Sequence, residues 1–248
     1  MSKSIHILGF HSVESLLRTN PESVIKVFIL NNRKDKRVNE LVNTLTNQNI
    51  AFSSVDKNDL DRIAKGEIHQ GVISEVILPP LLNEESLFKS ISDNSLKPLI
   101  LVLDSIQDPR NLGACLRSAN AAGVDYVVIN KDGSAPINAV VHKTSAGAIN
   151  SLKIFHVTNL SRTIKEMQKR GIWVIGLDGN SKSTIYGVDL TDATAVVMGS
   201  EGKGIRKLIK KTCDQIVTIP MSGNIESLNV SVATGIALFE SKRQRESS

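Results

Sequence analysis

Three short stretches of the chain concentrate the side chains able to do chemistry. In the first, DPRNLGACLRSANAAG, Asn111 stands where a helix would begin, and Arg117 follows among Gly113, Ala114, Ala119, Ala121 and Ala122. Small residues imply close packing of backbone there, so solubility does not account for the guanidinium; a structural ion pair is the competing reading. In the second, GSEGKG, Glu201 lies between Ser200 and Gly202 ahead of a helical segment, where a carboxylate also suits the helix N-terminus. In the third, IPMSGNIESLNVSVATGIALFE, Ser227 and Asn229 flank Leu228, and both are favoured N-cap types. One cap would be routine, whereas two ask for a second purpose. The chemistry such groups offer is positioning by hydrogen bonds and charge. No zinc site or disulfide framework is signalled: the five histidines form no HExxH, and Cys115 and Cys213 form no CxxC and read as buried free thiols.

Elements must bring these stretches together. From Pro98 onward, strongly apolar strands alternate with helical segments. The strands read as LILVLD (99–104), VDYVVI (124–129), IWVIGLD (172–178), TAVVMG (194–199) and QIVTIP (215–220). Runs apolar on both faces point to a covered, parallel α/β sheet, with helices expected over 112–122, 137–148, 160–169, 205–211 and 227–242. Ligands of such sheets bind beyond the carboxyl ends of strands, which is where Asp104, Gly199 and Pro220 deliver the three stretches. The first eighty residues read as a smaller α/β unit, with a helix at 12–17, a strand at 24–30, a helix after Arg33, a strand at 50–55 and a β-branched run before Pro79 and Pro80. The Pro pair stops regular structure. Residues 81–97 are polar and mixed and read as a linker holding at most one short helix, which sets the expected domains at 1–80 and 98–248.

The 248 residues carry a net charge of +5, and 98–248 account for the excess. With a pI near 9.2, this leans toward a polyanionic partner such as nucleic acid. Two basic clusters, RKDKR (33–37) and KGIRKLIKK (203–211), also read as the solvated faces of amphipathic helices. Ordinary globular composition excludes disorder and coiled coil, and no apolar run reaches spanning length, so a cytoplasmic protein is expected. Neither G-x-G-x-x-G nor G-x-x-x-x-G-K-[ST] occurs, which disfavours a nucleotide enzyme of the common phosphate-loop kinds.

The segments NLGACLRSANAAG, VVMGSEGKGI and IPMSGNIESLNVSVATGIALFE closely resemble the three signature motifs of the SpoU/TrmH family of RNA ribose 2'-O-methyltransferases. At the front of the chain, GFHSVESLL and HQGV resemble the substrate-binding domain of bacterial 23S rRNA guanosine 2'-O-methyltransferases. The resemblance implies a SPOUT catalytic domain with a deep trefoil knot, an L30e-like N-terminal domain, S-adenosyl-L-methionine as methyl donor, no metal, a homodimer, and a guanosine of the peptidyl-transferase P loop as target. A tRNA 2'-O-methyltransferase and a non-catalytic ribosome-assembly factor are the alternatives; the N-terminal domain argues for rRNA, and the presence of Asn111 and Arg117 argues for catalysis.

By the same resemblance Asn111, Arg117, Glu201, Ser227 and Asn229 match catalytic-motif positions, and the donor would lie against backbone at Gly199, Ile219 and Leu228. A guanidinium stays protonated and makes a poor base. The physical reading is that Arg117 clamps a phosphate and stabilises charge developing on the 2'-oxygen, while RNA phosphate or water takes the proton. Asn111 and Ser227 would orient the ribose and Arg117. Glu201 would hold Arg117 or the loop.

Overall fold

The computed structural model describes residues 4–31, 33, 35–77, 82–93, 97–223 and 227–247. Pro79 and Pro80, expected to end the first domain's regular structure, lie outside them. In chain order the elements are β1 (Ser4–Leu8), α1 (Phe10–Thr19), β2 (Val24–Leu30), α2 (Lys36–Asn47), β3 (Phe52–Val55), α3 (Lys57–Ala64), β4 (Val72–Ile77), α4 (Glu84–Asp93), β5 (Leu99–Asp104), α5 (Pro109–Ala122) and β6 (Tyr126–Asn130). They continue with α6 (Ala139–Thr144), β7 (Lys153–Val157), α7 (Leu160–Gln168), β8 (Trp173–Leu177), β9 (Thr194–Gly199), α8 (Lys207–Thr212), β10 (Gln215–Val217) and α9 (Val230–Glu246).

Two compact units result: residues 1–80 with 137–151, and 81–136 with 152–248. These units differ from the expected division in two places. The stretch expected to be a linker carries α4, whose Leu87 and Ile91 are buried in the core of the second unit and whose Glu84 takes hydrogen bonds from Arg162 and Thr163. An amphipathic turn with a buried face is a structural element, whatever its polarity on the other side. Conversely, α6 belongs to the first unit, where Ala139 packs on Leu8, Leu60, Ala64 and Ile73. Local pattern identified that segment as helical but could not say which core it joins.

In the first unit the sheet order is β1-β4-β2-β3, antiparallel except for the parallel β2–β3 pair. Phe10, Val13 and Leu17 of α1 and Val38, Leu41 and Leu45 of α2 bury against Val27, Ile29 and Val72. The apolar spacing that follows RKDKR is thus a core stripe. Asp35 caps α2 by accepting from the Val38 N–H, and the Arg33 and Arg37 guanidinium groups lie over the Phe10 ring. Strand β1 and helix α3 lie outside the elements expected from the sequence.

The second unit holds a six-stranded, wholly parallel sheet of order β10-β8-β9-β5-β6-β7. The apolar runs are buried as expected: every residue of β5, β6 and β9 is buried. Strand β7 is the one the sequence reading lacked. From α7 and α8, Leu160, Ile164, Met167 and Ile209 pack with Val102, Val128, Val174 and Val197 of the sheet. Helix α9 packs along α5 and against β9. The chain leaves β5 toward β6 on one side and leaves β9 toward β10 on the other, so the direction of winding reverses between these two neighbours. A crevice opens at such a reversal, beyond the carboxyl ends of the strands.

Candidate active site

Helix α5 is the first element after the carboxyl end of β5. Asp108 caps it through the Arg110 N–H at 2.8 Å, Pro109 fills the first helical position, and Asn111 follows, half-buried. Immediately after β5 the chain turns through Ser105, which takes a positive φ of 63°, and the Asn130 carboxamide at the end of β6 holds its N–H at 2.8 Å. The glycine cluster after β9 forms a closed turn. Ser200 and Gly204 exchange backbone hydrogen bonds at 3.1 and 2.8 Å, with Gly202 and Gly204 at positive φ. Gly199 is required sterically, because a Cβ there would sit 2.0–2.3 Å from backbone atoms of Gly204 and Ile205.

Glu201, at the tip of this turn, meets the start of α9. Asn229 caps α9 by accepting from the Ser231 N–H at 2.9 Å and Oγ–H at 2.6 Å. Its Nδ2 donates to Asn111 Oδ1 at 3.1 Å and to Glu201 Oε1 at 2.6 Å. One carboxamide therefore joins the three stretches, with both its donors and its acceptor occupied. The second purpose sought for the paired cap residues belongs to Asn229, while Ser227 is exposed ahead of the cap. Small residues on α5 do allow close packing: Gly113, Cys115, Ala119 and Ala122 are buried, and Cys115 Sγ lies 3.4 Å from Thr234 Oγ1 of α9. Burial pushes the Cys115 thiol up to about 11, the nearby Glu201 charge adding to it.

The structure thus brings Asn111, Glu201 and Asn229 into direct contact. Arg117 lies on the exposed side of α5 and makes no hydrogen bond or ion pair among the described residues. Of the two roles expected for Glu201, the contact present is the one across the loop, to Asn229. Gly199 is buried, and Ile219 and Leu228 are half-buried. The basic cluster of 203–211 is more than a solvated face: Arg206 pairs with Asp104 and Lys210 with Asp178, whereas Leu208 is exposed. Burial raises Asp178, but hydrogen bonds from Lys210 and the Asn180 N–H outweigh it and hold its carboxyl below the ordinary range. Asp104, the last residue of β5, was not singled out as a site residue. Its signal was a carboxylate ending an otherwise unbroken apolar strand.

A parallel sheet with a polar cluster at its winding reversal describes many enzymes; comparison with known proteins narrows it. The chain belongs to the SpoU rRNA methylase family, whose model matches residues 98–239, and a model for RNA 2'-O ribose methyltransferase substrate binding matches 6–80. It is 47% identical over 243 residues to the 23S rRNA (guanosine-2'-O-)-methyltransferase RlmB of Haemophilus ducreyi, covering 98% of each chain. It is 44% identical to RlmB of Escherichia coli, covering 96% of this chain and 98% of that one. In fold it is similar to the SpoU methyltransferase AviRb of Streptomyces viridochromogenes, solved in complex with AdoMet, with a TM-score of 0.82 and 21% identity over 99% of this chain and 92% of that one.

Proposed function

We propose that this protein transfers a methyl group from S-adenosylmethionine to the ribose 2'-hydroxyl of a guanosine in 23S rRNA. The observation that carries the reading is the convergence of Asn111, Glu201 and Asn229 on one carboxamide at the winding reversal, in a chain 44–47% identical to RlmB proteins over nearly its whole length. The donor fits the residues present: a tight glycine turn exposes peptide groups, and the half-buried Ile219 and Leu228 provide apolar walls for a flat base with polar edges. S-adenosylmethionine supplies an electrophilic methyl on sulfur.

The chain's task is to hold a weak nucleophile in line with that methyl and to relieve it of its proton. Asn111, fixed by Asn229, and Ser227 orient the ribose. Arg117, without an acidic partner among the described residues, takes the neighbouring phosphate and stabilises negative charge growing on the 2'-oxygen. Phosphate or water accepts the proton. Residues 6–80 grip the RNA, and the site works where ribosomes are assembled, in the cytoplasm. A homodimer is supported by Val232 and Phe239, both about half exposed and seven residues apart on α9. We further propose that the C-terminal part of the catalytic domain is threaded as the trefoil knot of the family.

Incubation with labelled S-adenosylmethionine and separated RNA fractions, followed by mapping, tests this reading. Label on one guanosine ribose of 23S rRNA, in the P loop, is expected; label confined to tRNA, or none, contradicts it.

A further inference from the structure

Asp104 is completely buried, yet it ends a strand of five apolar residues and pairs with a cation 102 positions away. Its Oδ1 accepts from the Arg206 Nε–H at 2.7 Å and lies in ion-pair contact with Nη2 at 2.6 Å, and its Oδ2 accepts from the Arg206 backbone N–H at 2.9 Å. The pairing is placed on the donor loop. In the β5–β9 register Asp104 stands opposite Gly199, the glycine whose Cβ position is filled by Gly204 and Ile205. Arg206 is the next residue along.

On its other side the loop exit is held by Ile205, which is buried and packs over Gly176 of β8, where a Cβ would lie 2.9 Å from Ile205 Cδ1 and from Ile216 Cδ1. The turn that starts at the end of β9 is therefore anchored to both neighbouring strands, by apolar packing toward β8 and by two charge-assisted hydrogen bonds and an ion-pair contact toward β5. Nothing else among the described residues ties the exit of the turn to β5, and a buried charge pair is an expensive way to do so unless the geometry it fixes is needed.

We infer that Asp104 and Arg206 are positioning residues that pre-form the Gly199–Gly204 turn for the methyl donor. They act through the loop backbone and touch neither donor nor ribose. A loop that must be ordered on binding lowers affinity by the cost of ordering it, so the pair acts on donor affinity. The inference rests on the reading that this turn receives S-adenosylmethionine.

Hydrogen exchange of the full-length protein separates the two. In the wild type, S-adenosylmethionine is expected to slow exchange of the 199–205 amides; if it leaves them unchanged, the reading of the turn fails and the inference with it. With protection established, Asp104→Asn and Arg206→Gln are expected to speed exchange of those amides in the free protein. By calorimetry they raise the Kd for S-adenosylmethionine by roughly 10- to 100-fold, the loss of one or two charge-assisted hydrogen bonds. The KM for RNA stays at its wild-type value, and Arg206→Lys, which keeps charge and a donor, recovers part of the affinity. Because Arg206 is half exposed, its variants keep the test open if Asp104→Asn does not fold. A lowered melting temperature with unchanged Kd would show the pair to be purely structural and overturn the inference, as would a raised RNA KM with unchanged donor affinity.

Discussion

Asn229 gives one amide hydrogen to Asn111, 118 residues earlier in the chain, at 3.1 Å, while its carbonyl oxygen caps the helix that follows it. The same Nδ2 reaches Glu201 at 2.6 Å, so the orientation of the carboxamide is fixed from both ends.

Asn229→Asp separates the two roles. Aspartate caps a helix as well as asparagine does, so the melting temperature should change little. It has no hydrogens to give, however, and it sets a carboxylate against Glu201. The rate of methyl transfer should fall roughly 10- to 100-fold, the loss of a hydrogen bond to a charged partner. A wild-type kcat in steady-state assays would show that the bridge does not arrange the site.

Arg117→Ala should abolish methyl transfer, with kcat lower by at least about 100-fold, the usual effect of removing a donor aimed at developing negative charge. Donor binding by calorimetry should be unchanged. Arg117→Lys should restore little, since an ammonium lacks the planar fork that grips phosphate. Turnover near wild type in either variant contradicts the assignment.

A pH effect on stability follows from His142, in the first unit. Burial pushes its imidazole down to about 4 from 6.5, and its Nε2 is buried without a hydrogen-bond partner among the described residues. The folded chain holds the neutral ring while the unfolded chain protonates first, so its contribution is intact above pH 6.5 and is lost as pH falls toward 4. Urea denaturation of the wild type should show a loss from this group of roughly 2–3 kcal/mol between pH 7 and 4.5. His142→Leu should remove that part of the pH dependence; an identical pH profile in the variant would exclude it.

Both thiols should resist modification in the native protein. Burial pushes Cys115 up to about 11 and Cys213 up to about 12, the latter aided by the charges of Asp214 and Asp104. The thiolate is the reactive form. A colorimetric thiol reagent at pH 8 should titrate neither until denaturant is added, and rapid reaction of Cys115 in the folded protein would contradict the packing of α5 on α9.

Much of the catalytic unit was legible because its strands are buried on both faces. A run such as LILVLD or TAVVMG can be little else, and the glycine turn and the cap at Asn229 announce themselves by residue type. Strand β7 was missed because KIFHV is short and mixed, and α4 was read as linker because its buried face rests on few residues, chiefly Leu87 and Ile91. Assignment of α6 to the first unit depends on which surface offers its apolar side a partner, a property of the assembled sheets.

Residue types at strand ends were therefore fixed by the order of amino acids alone: that Asn111, Glu201 and Asn229 are polar groups beyond apolar strands needs no coordinates. Which of them touch was decided by sheet order, since β5 and β9 are far apart in sequence and adjacent in space only because the chain winds back to place β9 beside β5. The pairing of Asp104 with Arg206 belongs to the same class. A buried carboxylate must find a cation, but the distance law that selects the partner operates through space, and one-dimensional spacing carries no record of it.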